Sequence, residues 1–316
     1  MQCENNLSEK KKNCGYFSLL KKDVRKNTWV YMMAVPVVLY YIIFCYIPIG
    51  GIIIAFQDYT PAKGFFGSDW VGFRHFMDFF GSRSSLKVIS NTLIMNLMQI
   101  VIGFPAPIIL SLMINEVRND RFKHTFQTIS YIPYFIPLVV FCGMIKMFTR
   151  STGIFGDIAE MLGMERQNLL MLPKWFKMIN VLTNTYQGAG WGTIIYLATI
   201  SAIDPNLYEA ATIDGAGRFE KIIHVTLPAL IPIISIMLIM NIGGIMSSGF
   251  EKIILLYNPI TLKEADVLSS FVYRRGLQEM DFSFGTAVDL FTSVVNLIIL
   301  SIANFCMRKF LGESLW

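Results

Sequence analysis

Six stretches of this chain run for about the length of a bilayer crossing with almost no charge, and no other feature constrains the fold as strongly. A hydrocarbon core needs roughly 20 predominantly apolar residues per helix. The stretches are Trp29 to Phe56, Val88 to Ile114, Thr128 to Phe148, Ile179 to Ile203, Ala229 to Gly249 and Thr286 to Met307. Each predicts a helix, because only helices and closed barrels satisfy every backbone polar group inside lipid. Composition agrees: 54% of the residues are hydrophobic and 16% charged, against about 25% charged in an average soluble domain. The expectation is an all-α integral membrane protein with six transmembrane helices.

Lysine and arginine set the orientation. The tail before Trp29 carries Lys10, Lys11, Lys12, Lys21, Lys22, Arg25 and Lys26 against Glu4, Glu9 and Asp23. Cationic flanks stay cytoplasmic, so the N-terminus is expected inside. Six spans return the C-terminus to the same side, where Arg308 and Lys309 follow the last one. Segments 116–127 and 204–228 are then cytoplasmic, and 57–87, 150–178 and 250–285 external. Tyr16, Leu20 and Val24 recur at helical spacing among lysines, which fits either a surface-lying helix or a solvated tail. The organisation reads as a basic tail (1–28), a first helix with its external loop (29–87), a five-helix core (88–307) and a cytoplasmic C-terminus (308–316).

Catalytic signatures are missing from the sequence. It has no Gly-x-x-x-x-Gly-Lys-Ser/Thr, no HExxH and no Gly-x-Ser-x-Gly. His75, His124 and His224 fall in three different loops on both sides of the expected membrane, which gives no common metal site. Cys3, Cys14, Cys45, Cys142 and Cys306 include no CxxC pair and read as small apolar or idle thiols. Lys146 and Asp289 are the ionisable groups near span ends. An ion-coupled carrier usually places more such groups within the membrane, so energy is expected to come from another chain.

The segment 204–228, DPNLYEAATIDGAGRFEKIIHVTLP, carries the strongest local signals. Asp204-Pro205 starts a helix, with Asp as cap and Pro at the first helical position. Asp214-Gly215 stops it, and Gly215 is free to take positive φ. Arg218 to Leu227 can form a second short helix before Pro228. Ala210 and Ala211 keep the first helix narrow enough for another protein to approach its backbone. Glu209 offers a charge to a basic partner. The residues alone leave two readings open: a docking protrusion, or an ordinary helical loop.

Glu209-Ala210-Ala211, Gly215, and then Val225-x-Leu227-Pro228 resemble the EAA signature of bacterial ABC importer permeases. That signature has Glu-Ala-Ala, a Gly four residues past the second Ala, and a later Ile-x-Leu-Pro; Val225 stands in the Ile position. The stretches IIIAFQDYTPAKGFFGSDWVGFRHF (52–76) and NTYQGAGWGTIIYLATISAIDPNLYEAATIDGAG (184–217) are similar to the LplB/YteP-like group of Gram-positive carbohydrate permeases. The resemblance covers most of the chain from about Trp29 onward.

It implies a MetI-like type I importer core in helices 2–6, with an added N-terminal helix, in a bacterial plasma membrane. It also makes Tyr208, Glu209, Ala210, Ala211, Asp214, Gly215, Leu227 and Pro228 the coupling element that docks into an ATPase. The expected partners are a second homologous permease, an ATPase dimer holding ATP and Mg, an extracellular solute-binding lipoprotein, an oligosaccharide and membrane lipids. No cofactor is expected on this chain, and no nucleic acid. Another polar solute, an ion-coupled carrier and a non-transporting scaffold are the alternative readings.

A path for a sugar needs polar groups set in apolar walls. Asn96, Gln99 and Gly103 share one face of the second span; Asn184, Gln187 and Trp191 share one face of the fourth. Asn241, Gly244 and Ser248 repeat the spacing in the fifth, and Asp289, Thr292 and Asn296 in the sixth. Tyr134 and Phe135, between Pro133 and Pro137, offer aromatic faces. Such residues also glue helices together, and Trp191 equally fits an interfacial anchor.

Overall fold

The computed structural model describes residues 23–247 and 249–311. Most of the basic tail, Tyr16 and Leu20 included, and Ser248 lie outside them. The chain divides into two units, Met1–Ile54 and Ala55–Trp316. The described part of the first is mostly one helix, α1 (Thr28–Phe56), and none of its residues from Thr28 to Ile49 is buried. An apolar helix with no apolar cover from its own unit suits a lipid solvent.

The second unit opens with a two-residue ladder, β1 (Gln57–Asp58) against β2 (Asp69–Trp70), antiparallel with Gln57 opposite Trp70. Phe56 stacks on Trp70 at 5.8 Å and meets Phe73 edge-on at 5.4 Å. This aromatic cluster pins the loop ahead of α2 (Arg74–Gly81). Then come α3 (Arg83–Asn115), α4 (Asp120–Phe135) and α5 (Leu138–Phe148), followed by α6 (Ile154–Met161) and the 29-residue α7 (Pro173–Ser201). A short helix α8 (Pro205–Ile213) leads to α9 (Arg218–Gly243). Three short pieces, α10 (Phe250–Leu256), α11 (Leu262–Ala265) and α12 (Leu268–Val272), precede the last helix, α13 (Phe282–Leu311).

The count of spans differs from the sequence reading. Four helices, α1, α3, α9 and α13, are long and apolar enough to cross a membrane, and α4 with α5 makes a fifth if taken as one bent span. That pair bends by 96°. Ile136, ahead of Pro137, is extended (φ −72°, ψ 125°), because a residue before proline avoids the helical region. The expected third span, Thr128 to Phe148, is thus two helices with a corner. The expected fourth span, Ile179 to Ile203, falls on α7 except for its last two residues; α7 is long enough, but Asn180, Asn184 and Gln187 interrupt its apolar run.

Three helices carry their prolines in the same way. A π-helical turn ends two residues before each: Ile42–Tyr46 before Pro48, Gln99–Gly103 before Pro105, and Ile222–Thr226 before Pro228. Proline has no N–H, and its ring crowds the carbonyl of residue i−4. Widening the turn lets the preceding residue reach back five positions: Ile47 to Ile42, Phe104 to Gln99 (3.0 Å) and Leu227 to Ile222. The helices pass these three prolines, though not Pro36 or Pro232, by this widened turn, with those donors satisfied.

Three apolar clusters hold the second unit together. Phe141, Ile145, Phe176 and Ile253 join α5, α7 and α10; Phe79, Val88, Phe271 and Phe284 join α2, α3, α12 and α13; Tyr196, Ile200 and Leu230 join α7 to α9. Helix α7 approaches α4 closely, since a Cβ on Gly190 would fall 1.8 Å from the Ser130 carbonyl oxygen. Polar ties anchor the α10–α12 segment. Asn91 donates to the carbonyls of Lys263 (3.0 Å) and Asp266 (2.9 Å), and Glu264 bridges Lys87 (2.6 Å) and Lys177 (3.2 Å).

Candidate functional site

The hairpin 204–228 is built by its helix ends. Asp204 accepts from the Asn206 amide at 3.0 Å and caps α8, with Pro205 at its first position. Gly215 leaves the helix at φ +82°, a conformation that an L side chain adopts only with strain. The amides of Asp214 and Ala216 close back on the carbonyls of Ala210 (3.0 Å) and Ala211 (2.9 Å). Glu220 then accepts from the Gly217 amide at 2.6 Å and starts α9. Two side-chain links fix the angle between the arms: Tyr208 Oη with buried Thr226 Oγ1 (2.9 Å), and Lys221 Nζ to Thr212 Oγ1 (2.8 Å).

All eight expected coupling residues belong to this one hairpin. Glu209 and Ala210 are exposed on α8, while Ala211, Asp214 and Gly215 line a recess of about 340 Å³ with Glu220 and His224. Leu227 and Pro228 form the root, just past the π-turn. Apolar side chains stand uncovered around the tip, Ile213 at 86% exposure and Phe219 at 80%. Exposed apolar groups of this kind are candidates for burial against another protein.

The polar stripes converge only in part. Asn96, Gln99 and Asn184 line a cavity of about 220 Å³, and Gln99, Asn184 and Asn241 line an adjoining one of about 250 Å³. Stripes from α3, α7 and α9 therefore meet, with Gln99 and Asn184 common to both spaces. Asn96 donates to the Ile245 carbonyl at 2.8 Å, and Asn241 to its own helix at Met237 (2.8 Å). Gln187 and Trp191 turn toward the α4–α5 corner. Gln187 reaches the Ile136 carbonyl at 3.4 Å, and Trp191 stacks on Tyr134 at 4.8 Å and meets Phe135 edge-on. Asn296 holds the end of α9, accepting from the Met246 amide (2.9 Å) and donating to Ser247 Oγ (2.9 Å). Asp289 is exposed on α13 and lines neither cavity.

Two residues beside these cavities escaped the sequence reading. Asn180 lines the smaller one, and its Oδ1 is a buried acceptor without a partner, as is Gln99 Oε1. It sits four residues before Asn184, so the helical stripe could have been extended to it. Lys252, on α10, is 5% exposed and donates to Asn184 Oδ1 at 2.7 Å, with its ammonium 5.2 Å from the centre of the Phe141 ring. Burial pushes it down to about 8, and the nearby Cys142 acts weakly the other way. A lone lysine in FEKIILL reads as the polar face of a surface helix, and only the packing of α5 and α7 over it buries it. A wider polar recess of about 840 Å³ lies among Asp58, Arg74, His75, Asp78, Arg275 and Glu279. Among the described residues, no three metal-ligating side chains form a cluster that could hold a metal ion.

The family model for "Binding-protein-dependent transport system inner membrane component" matches residues 103–311. The chain is 38% identical to Protein LplB of Bacillus subtilis (strain 168), over 96% of this chain and 95% of that one. It is 39% identical to the polygalacturonan/rhamnogalacturonan transport system permease protein YteP of the same organism, over 94% of this chain and 96% of that one. Its fold matches a chain from the crystal structure of a bacterial ABC transporter involved in the import of the acidic polysaccharide alginate, with a TM-score of 0.85 and 38% identity, covering 92% of this chain and 99% of that one. With the hairpin, the apolar helices and the match across α3 to α13 in agreement, the chain belongs to the inner-membrane components of binding-protein-dependent ABC importers and is a multi-pass membrane permease subunit.

Proposed function

We propose that this permease moves oligosaccharides or fragments of complex glycans inward by alternating access, as one of two homologous membrane subunits above a separate ATPase dimer. The observation that carries the energy coupling is the hairpin: two arms locked by Tyr208–Thr226 and Lys221–Thr212, tipped with exposed Ile213 and Phe219. Closure of the ATPase dimer around ATP and Mg draws two such hairpins together, and the rigid link through Thr226 passes that motion into α9. The bound solute is neither cleaved nor modified by this chain.

Six spans, with α4–α5 and α7 supplying the third and fourth, place both termini and the hairpin in the cytoplasm. The recess around Arg74 and Arg275 is then external, where charges of both signs suit the docking of a solute-binding lipoprotein. Similarity across nearly the whole chain to permeases named for saccharide transport supports the cargo class, and an amide-lined cavity fits hydroxyl-rich solutes.

The coupling role is tested by Gly215→Pro and Ala211→Trp in the reconstituted importer. Both should insert normally and lose binding-protein-stimulated ATP hydrolysis; normal stimulation in either would sink the assignment. The cargo is tested by purifying the complex gently from native membranes, identifying its partners by mass spectrometry, and screening the recovered binding protein against glycans. A binding protein that retains only non-carbohydrate solutes would refute the cargo class.

A further inference from the structure

We propose that Lys252, acting through Asn184, makes the cavity between α3, α7 and α10 a binding site for the anionic group of a sugar chain. This rests on the carbohydrate reading above and narrows it to charged saccharides.

The ammonium is the unusual feature. Lys252 is 5% exposed, and among the described residues no carboxylate lies within ion-pair distance of it. Nearby cations are either paired or in the open: Lys87 and Lys177 share Glu264, Arg274 forks onto Asp266, and Lys263 is exposed. A buried charge is unfavourable unless it is neutralised. Here the ammonium has the Asn184 oxygen and the face of Phe141, neither of which carries a negative charge.

The geometry directs this charge into the cavity. Lysine only donates, so Asn184 must turn its oxygen to Lys252. The amide NH₂ is the end left for the cavity that Asn184 lines. It is a donor backed by a positive charge, and charge-assisted bonds of this kind are strongest to anions. Asn180 and Gln99 line the same cavity, and their Oδ1 and Oε1 are buried acceptors without donors. The site thus offers donor and charge at one point, with two buried, unsatisfied acceptors on residues that line the same cavity. An anionic sugar presents the complement, an acceptor anion flanked by hydroxyl donors. A neutral sugar satisfies the acceptors and leaves the ammonium uncompensated.

The test uses the whole complex in nanodiscs without its binding protein, so that selectivity measured there belongs to the membrane subunits. Equilibrium binding is measured at pH 7 for a uronate trisaccharide, its carboxyl-reduced neutral counterpart, and the neutral trisaccharide carrying one sulfate ester. Wild type should bind one or both charged sugars about tenfold or more tighter than the neutral one; which of them it prefers distinguishes carboxylate from sulfate. Lys252→Met and Asn184→Leu should each abolish that preference, lowering affinity for the charged sugars about tenfold more than for the neutral one, whereas Lys252→Arg should keep it. If Lys252→Met fails to assemble with its ATPase, Asn184→Leu carries the test. Equal binding of charged and neutral sugars by wild type, or a preference that survives both variants, overturns the proposal and leaves the carbohydrate reading standing. If no sugar binds and none is taken up when the binding protein is added, the carbohydrate reading falls, and this proposal with it.

Discussion

Lys252→Met should make the permease more resistant to heat at neutral pH. Each unit of pKa corresponds to about 1.4 kcal/mol, so the fall from the ordinary 10.5 to about 8 represents roughly 3 kcal/mol of unfavourable burial of the ammonium. Methionine fills a similar volume without the charge. It forfeits the bond to Asn184 and leaves that oxygen without its donor, a loss of about 1–2 kcal/mol. The balance favours the variant by about 1–2 kcal/mol, or a rise of about 2–5 °C. The sign depends on pH. The folded value lies below the unfolded one, so between them the unfolded chain holds the extra proton and wild-type stability rises with pH. The penalty is complete below about pH 8 and is gone by about 10.5, where only the lost hydrogen bond remains and wild type becomes the more stable. Cys142 on α5 is the titratable neighbour with a resolved influence on Lys252, and the comparison repeated in Cys142→Ser isolates the lysine. Melting of the purified complex, followed with a dye at one scan rate, should show the variant ahead at pH 7 and level or behind at pH 10. A variant that melts lower by the same amount at both values would refute the reasoning, because Lys252 would then contribute packing and hydrogen bonding without a charge penalty.

Three further outcomes follow from named contacts. Gly190→Ala should destabilise the fold by several kcal/mol, seen as loss of folded permease in a fluorescence-detected size-exclusion trace, because its Cβ meets the Ser130 carbonyl oxygen at 1.8 Å. Tyr208→Phe should leave Thr226 Oγ1 short of a partner and loosen the hairpin; binding-protein-stimulated ATPase should fall several-fold while basal hydrolysis holds, measured by phosphate release. Glu264→Gln should weaken the tie of α11 to α3 and α7 by about 0.5–1 kcal/mol, since the bridge is partly exposed. Lys87, and then Lys177, holds this carboxyl below its ordinary 4.5, so the contribution is complete above that value and fades as pH falls through the folded one. The melting difference between wild type and Glu264→Gln should therefore shrink in acid.

The hairpin was legible because its signals are local. Asp204-Pro205 and Asp214-Gly215 each act within one turn of backbone, and the structure builds α8, the positive φ at Gly215 and the start of α9 where those residues stand; the short helix expected from Arg218 to Leu227 instead continues past Pro228 to Gly243. The apolar helices were legible for a related reason: hydropathy reports the solvent a helix needs without reference to its neighbours. The corner at Ile136 was readable in part, since Pro133 and Pro137 were visible while their 96° consequence was not.

The site between helices was less legible, because a stripe on one helix says nothing about which stripes meet. Asn96, Gln99, Asn184 and Asn241 share a pair of cavities, whereas Gln187 and Trp191, on the same helix as Asn184, turn to the α4–α5 corner. Lys252 marks the limit most clearly. In sequence it stands beside Glu251 on a short apolar helix; its burial and its hold on Asn184 are supplied by α5 and α7, distant in the chain, and among the described residues no carboxylate lies within ion-pair distance of it. Sequence alone determined the membrane environment, most of the long apolar helices and the hairpin at 204–228, since each depends on residues a few positions apart. Tertiary structure decided which polar groups face one another and which charge is buried without a counter-charge among the described residues, because burial and pairing are properties of neighbours in space.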